Sequence, residues 1–489
     1  MEPWLRHAVN YICDWLEFQL QGVQQPGCII AVAHRGKVVA EYAFGTANLD
    51  TGEKLTPRHR FRIASHSKSF TAAGIMELRE RRKLRLDDPI GQYVKGLHPR
   101  IAETTIAQLL SHSGGLTRDG ADSGQFIDRK PYLNQKELMT DLQAPPVIEP
   151  STRLKYSNHG FGLLGLAIEA ITGEPYRDWI AREIVDACGL RETVPDMPLA
   201  KAVPFARGHT PRRPLGRRLV IPGDNPAHAI ASAAGFVSTA ADVARFFAQL
   251  APNAKHSVLS AASRREMTRK LWRNPDSSLE GYYGLGTMSG STAGWDWFGH
   301  SGGFQGYISR TCVIPARELA ITVLTNSTDG WAGPWLDGAI YILRSFAERG
   351  APSRRVRDWT GRWWSQWGAV DLVPAGNLVI AANPHAINPF MDVSEIAVTG
   401  RDAGTITLAG GYGSYGEGVR RSRNKAGTVT DIWLAGANLK PEKILGAELE
   451  RRYAPRASAA LPAEVCAGRA ARARDFRGRL TSSTPAPRS

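Results

Sequence analysis

No apolar run in the chain approaches the ~18 residues that a membrane-spanning helix needs, so no membrane association is expected. The amino terminus also lacks the basic start, apolar middle and small-residue cleavage site of a secretory signal. Instead Leu5, Ala8, Val9, Ile12, Leu16 and Leu20 recur at helical spacing among Glu2, Asp14 and Glu17. That pattern predicts a packed amphipathic helix and a cytoplasmic protein. Cysteines are few: Cys13, Cys28, Cys188, Cys312 and Cys466 are odd in number and scattered, without a C-x-x-C pair. Neither a disulfide framework nor a zinc site is expected. His-Glu-x-x-His and comparable ligand clusters are missing as well, so the reading carries no metal and no cofactor.

Acidic residues are the minority, 46 against 61 Lys and Arg, for a net charge of +15. Part of that excess is local. From Tyr453 onward seven arginines face only Glu464 and Asp475, with Ala, Pro and Ser between them. Such a composition predicts a disordered tail over 456–489 rather than a nucleic-acid module, and no nucleic-acid partner is expected. The arginines between Lys201 and Pro226 read as a solvated surface loop by the same logic.

A chain of 489 residues with 43% hydrophobic and 22% charged residues suits a soluble protein of two or three domains. Cys28–Ala33 and Lys37–Tyr42, separated by His34-Arg35-Gly36, read as a strand hairpin. Helical patterns follow after Ser65, at Thr105–Leu110, at Phe161–Ile171 with Gly173 closing it, and at Gly235–Leu250. Sequence between Leu116 and Thr152 reads as polar and irregular. Strands return at Trp295–Gly303, Tyr307–Ile314 and Leu319–Thr325, then a helix around Leu336–Glu348. Beyond Ala351-Pro-Ser the texture changes to tryptophans, short β-branched runs and glycines, with no helix expected before the tail. The predicted organisation is therefore 1–350, an all-β unit over 352–455, and the tail.

Chemistry concentrates at Phe61-Arg-Ile-Ala-Ser65-His-Ser-Lys68. At the start of a helix, Ser65 and Lys68 sit about one turn apart on one face, which gives a weak nucleophile a base within reach. Ser-x-x-Lys alone is weak, and Ser422 to Lys425 repeats it in a charged, glycine-flanked segment. Gly411-x-Gly413-x-x-Gly416 matches a dinucleotide fingerprint by letter, yet no helix follows it, so it reads as a β turn. Tyr-x-Asn occurs twice, at Tyr132–Asn134 and Tyr156–Asn158. His-Ser-Gly-Gly also occurs twice, at 112–115 and 300–303.

Taken in order, Phe61–Lys68, Leu109-Leu-Ser-His-Ser-Gly-Gly, Tyr156-Ser-Asn158, Gly235-Phe-Val-Ser-Thr and His300-Ser-Gly-Gly303 resemble the serine β-lactamase-like family. That family includes class C β-lactamases, penicillin-binding proteins, D-aminopeptidases and related esterases. The resemblance covers about residues 10 to 345. It implies an α+β fold, an antiparallel sheet flanked by helices with a helical subdomain. The tryptophan-rich β unit would be a lipocalin-like barrel, as in D-aminopeptidase-like members. Carried over by position, Ser65 is the acylated serine with Lys68 as its lysine, Tyr156 and Asn158 form the second element, and His300 with Gly302 the third. The loop at 112–115 is structural, and Tyr132–Asn134 has no counterpart.

On this reading Lys68, its pKa depressed, and Tyr156 share the proton of Ser65, and the N–H groups of Ser65 and Gly303 face the oxyanion. Asn158 holds an acyl-chain carbonyl or orients Lys68. His300 stands where β-lactamases usually have lysine. A histidine is only partly charged near neutrality, so a fixed cation for a substrate carboxylate is missing. The expected activity is a Ser65-acylating hydrolase of a small peptide, amide or ester, D-aminopeptidase-like. Esterase, β-lactamase, peptide-cyclising acyltransferase and non-catalytic scaffold are the alternatives. The partner is a small-molecule or peptide substrate, and a homo-oligomer remains open.

Overall fold

The computed structural model describes residues 1–278, 280–410 and 413–453. The arginine-rich tail over 456–489 and Gly411 of the glycine motif lie outside the described residues.

The hairpin read from the sequence forms as β1 (Gly27–His34) and β2 (Lys37–Asn48), and with the short edge strand Glu53–Lys54 beside β2 it makes one end of a nine-stranded antiparallel sheet. Across that sheet β1 pairs with Leu319–Thr325, which pairs with Tyr307–Ile314, which pairs with Trp295–Phe304. Three shorter strands, Met288–Thr292, Gly281–Tyr283 and Trp272–Arg273, complete the far end. Strand β1 is buried along its whole length. It reads as a continuous apolar run, rather than an alternation, because both its faces are covered.

Two cores lie on the two faces. One holds Ile29, Ala31, Ala320 and Leu324 against α2 (Ser67–Glu80) and the helices Asn158–Thr172 and Ala240–Gln249. The other holds Ile30, Val32, Ile321 and Val323 against α1 (Pro3–Gly22) and the helix Ala332–Arg349. The amphipathic spacing of Leu5 to Leu20 is thus satisfied by a sheet face and a second helix.

From Gly361 to Leu439 the chain is a meander of eight antiparallel strands in sequential order. Mutual hydrogen bonds between the backbones of Trp364 and Lys440 link its first strand to the end of its last. The result is a nearly closed barrel filled by Trp359, Trp363, Leu372, Ile396 and Ile432. Its wall packs on the α1 side of the main sheet through Val373, Ala375, Ile380 and Ala382.

Two stretches differ from expectation. The segment read as irregular between Leu116 and Thr152 contains a helix, Gln135–Asp141, started by a capping box of Asn134 and Glu137. After the last barrel strand a helix spans Glu442–Tyr453, where none was expected before the tail. It buries no residue and is supported by pairs such as Arg452 with Glu448, so no apolar period marks it.

Candidate active site

Ser65 lies in a 3-10 turn, Ala64–His66, that runs directly into α2. The residue before it, Ala64, has φ +49°, a left-handed conformation that L residues other than Asn and Asp seldom adopt. Such a turn reverses the chain between the strand Phe61–Arg62 and α2 and leaves Ser65 half-buried. Small polar residues of α2 fix it to its surroundings. Ser67 donates to the Ala64 carbonyl at 2.5 Å and accepts from the Phe236 N–H at 3.0 Å, while Ser69 donates to the Gly286 carbonyl at 2.6 Å.

Lys68 is fully buried. Its Nζ lies 3.2 Å from Ser65 Oγ, 2.7 Å from Asn158 Oδ1 and 2.9 Å from the Ala233 carbonyl. Burial holds its pKa well below the ordinary lysine value; the Arg118 charge adds to that lowering and Asp119 opposes it. Asn158, the first residue of its helix, donates through Nδ2 to Asp119 Oδ1 at 2.6 Å. Both ends of its amide are therefore engaged, and of the two roles open from sequence the structure fits the orienting of Lys68.

The Tyr156 hydroxyl hydrogen-bonds with Ser65, and Lys68 Nζ stands 4.8 Å from the centre of its ring. Burial raises its pKa. His112, from the earlier His-Ser-Gly-Gly, packs on that ring at 4.0 Å between centroids and accepts the Ser157 N–H through Nδ1 at 3.2 Å. Its place in the motif is structural in the sense that it seats Tyr156.

The strand Trp295–Phe304 forms the opposite wall. Beyond Gly299 its outer edge has no strand partner among the described residues, because Met288–Thr292 pairs only with Trp295–Gly299. The two-residue turn Gln305–Gly306 makes Phe304 and Tyr307 a hydrogen-bonded pair. Alternation then turns the N–H of Gly303 away from the neighbouring strand, towards the outer edge. Gly302 is tight against the Ser65 turn: a Cβ there would lie 2.2 Å from the Ile63 carbonyl oxygen.

His300 is brought to the same wall, buried, with its ring 5.9 Å from that of His66. Here the structure corrects the expectation of partial charge. Burial, with His66, Lys68 and Arg310 nearby, holds His300 well below the usual imidazole value, so it is neutral at pH 7. Of the residues named from sequence, Ser65, Lys68, Tyr156 and Asn158 are thus brought together, and His300 and Gly302 lie on the strand packed against the Ser65 turn, with Gly303 next to them.

Tyr132 and Asn134 stand apart from Lys68: Asn134 caps a helix, and Tyr132 donates to Gln305 Oε1 at 2.9 Å. Ser422 and Lys425 fall in and just after a barrel strand, where Ser422 donates to Asp431. Sequence reasoning missed Asp119 and Tyr283. Neither sits in a motif, and each is recognised only by its partner, Asn158 for Asp119 and His300 for Tyr283 at 2.9 Å.

A serine against a buried lysine at a helix start is an arrangement that sets a proton acceptor beside a hydroxyl. The beta-lactamase family model matches residues 16–337, and the chain belongs to that family. Its members include serine hydrolases acting as amidases, peptidases and β-lactamases. Penicillin-binding protein 4 of Amycolatopsis lactamdurans is 29% identical over 326 residues, 62% of this chain and 81% of that protein. Protein flp of Staphylococcus aureus is 28% identical over 171 residues, so the match spans only 34% of this chain and 34% of that relative's length.

Among solved structures, the octameric penicillin-binding protein homologue from Pyrococcus abyssi superposes with TM-score 0.62 at 22% identity, covering 88% of this chain and all of that one. A D-amino acid amidase from Ochrobactrum anthropi SV3 gives 0.61 at 23% identity over 70% of this chain and 99% of its own. At these identities the likeness is one of fold. No helix among the described residues is long and apolar enough to cross a membrane.

Proposed function

We propose that the chain is a serine hydrolase that forms an acyl-enzyme on Ser65 and cleaves a small amide, peptide or ester, D-aminopeptidase-like in its preference. The observation that carries this reading is the 3.2 Å approach of a buried Lys68 Nζ to Ser65 Oγ. The Ala233 carbonyl can only accept, and so can the oxygen of an Asn158 amide whose nitrogen donates to Asp119. In the uncharged amine two hydrogens go to those acceptors, and the lone pair faces Ser65.

Lys68 takes the serine proton as Oγ bonds to the scissile carbonyl carbon. The oxyanion is met by the N–H groups of Ser65 and Gly303. Tyr156, hydrogen-bonded to Ser65, gives its own hydroxyl proton to the leaving nitrogen or oxygen as its bond to carbon breaks and is recharged with the proton held by Lys68, and water then releases the acyl group by the reverse path. Residues 1–350 carry this chemistry, with 352–455 as a separate barrel. The likeness to the D-amino acid amidase supports amides of D-residues as first substrates.

The test is intact-mass detection of an acyl adduct on D-amino acid amides and p-nitrophenyl esters. Wild-type protein should gain the acyl mass and turn over, and Ser65→Ala should do neither. Turnover by Ser65→Ala at the wild-type rate would remove the assignment.

A further inference from the structure

Tyr283 lies outside every motif, yet it is buried and touches the group that departs from the β-lactamase pattern. Its hydroxyl lies 2.9 Å from His300 Nε2, and His300 Nδ1 lies 2.6 Å from the Ser301 carbonyl oxygen. A carbonyl only accepts, so Nδ1 carries the hydrogen. Nε2 of the neutral ring is then an acceptor, and the Tyr283 O–H donates to it. Both nitrogens are occupied, and neither is left to donate to a substrate.

The surroundings reinforce this state. Burial is the main cause, and the Arg310 guanidinium from the neighbouring strand adds to it; His66 from the Ser65 turn, Lys68 from α2 and His112 lie within electrostatic reach and would oppose a charge on His300 only while carrying one themselves. His66 is itself neutral, its Nδ1 donating to the Ile63 carbonyl at 3.0 Å and its Nε2 facing Thr311 Oγ1 at 2.9 Å. The Tyr283 ring meets those of Tyr156 and His112 with centroids 6.2 Å and 4.5 Å away. On the Ser65 reading, Tyr156 delivers the proton to the leaving group. The leaving group therefore faces the wall made by Tyr283, His300 and His112.

We infer that Tyr283 is a specificity-determining positioning residue: by holding His300 as an uncharged acceptor it makes this wall neutral and selects substrates whose leaving group bears no carboxylate. The inference rests on Ser65 as nucleophile and deepens that reading by naming the leaving-group class. A free carboxylate placed here loses its water without gaining a cation or a donor.

The experiment compares D-phenylalanyl-D-alanine with its carboxyl-terminal amide between pH 5.5 and 9. Wild-type protein should favour the amide by about tenfold or more in kcat/KM, with a ratio that stays flat over this range. Tyr283→Phe frees Nε2, and a substrate carboxylate can then draw a proton onto His300. The preference should shrink, and shrink further as pH falls. A merely structural loss would lower both substrates together and leave the ratio alone.

As a second measurement that needs no variant, nitrogen-15 NMR of the wild-type imidazoles should show His300 as the Nδ1–H tautomer from pH 5.5 to 8. Preference for the free acid, a wild-type ratio that titrates near pH 6.5, an unchanged ratio in Tyr283→Phe, or an imidazolium signal from His300 would each overturn the inference. Labelling by a fluorescent serine-directed phosphonate separates the failures. Label on Ser65 without the selectivity refutes only the role of Tyr283, whereas no label refutes the Ser65 reading beneath it.

Discussion

Three histidines around Ser65 are pushed down in pKa for the same reason that Lys68 is: burial has removed the water that would stabilise their charge. His66 is pushed down to about 3, and His112 and His300 lie well below the ordinary imidazole value. Each is therefore uncharged when folded at pH 6, whereas the same groups in the unfolded chain titrate near 6.5. Below that value the unfolded chain binds more protons, so stability must fall as pH falls. With each group contributing about 1.4 kcal/mol per pH unit, the three together predict up to about 4 kcal/mol lost per unit below pH 6. Urea unfolding midpoints at pH 7.5 and 5.5 check this, and equal midpoints would contradict it.

Lys68 follows the same sign at higher pH, its cost easing as pH rises towards 10.4, because folded Lys68 gives up its proton before the unfolded chain does. The closeness of Ser65 and Lys68 was legible in sequence, since one helical turn sets their spacing. The tautomers of His66 and His300 were not, because their partners, Thr311 and Tyr283, come from distant strands.

At the scale of elements, the site is the contact between one turn and one strand edge, and two adjacent glycines test it in opposite ways. A Cβ on Gly302 would meet the Ile63 carbonyl oxygen at 2.2 Å and Ser309 Oγ at 2.5 Å. The backbone must move, and Ile63 leads into Ala64 and Ser65. Gly302→Ala should cost about 1–3 kcal/mol of stability through overpacking. It should also lower kcat/KM by about a hundredfold through misplacement of the nucleophile. A Cβ on Gly303 would meet nothing closer than Ile308 Cδ1 at 3.6 Å, so Gly303→Ala should fold normally and stay within a few-fold of wild type. Denaturant titration with ester turnover on both variants decides it; equal behaviour of the two would show that the strand does not press on the turn.

Sequence spacing made these elements visible where the period was strong, as in the buried helix after Asn158 with its Gly173 cap. It failed at Gln135–Asp141, where the only signal was the Asn134 and Glu137 box and a single buried apolar residue, Leu138. It failed again at Glu442–Tyr453, a helix that buries nothing. The first of these failures also explains the Tyr-x-Asn at Tyr132–Asn134. Its asparagine is spent on a helix start.

Across the whole molecule the barrel stands behind the sheet, on the face opposite Ser65, and its attachment runs through α1. The tryptophans and short β-branched runs announced an all-β unit, but the docking was hidden, because the contacts that Trp15 and Gln19 make join residues more than 360 positions apart. Trp15 is fully buried and its indole donates to the Ala386 carbonyl at 3.2 Å. Gln19 reaches the Pro384 carbonyl at 2.6 Å, and Tyr11 stacks on Phe390 with centroids 5.6 Å apart. Gly338 completes the joint, since a Cβ there would lie 2.2 Å from the Trp15 ring and 2.5 Å from the Ile387 carbonyl oxygen.

This joint packs on the sheet face opposite the core that holds α2, so its expected effect is on stability. Trp15→Ala opens a cavity among α1, the helix Ala332–Arg349 and the barrel, at a cost of about 3–5 kcal/mol. Its kcat/KM on an ester substrate at 20 °C should remain within about twofold of wild type wherever the protein is folded. Thermal unfolding followed at once by near-ultraviolet circular dichroism and by residual turnover measures both quantities. A variant that keeps its melting temperature would deny the joint its structural role. One that folds normally but loses turnover would mean that the barrel acts on the cleft through the strands between them.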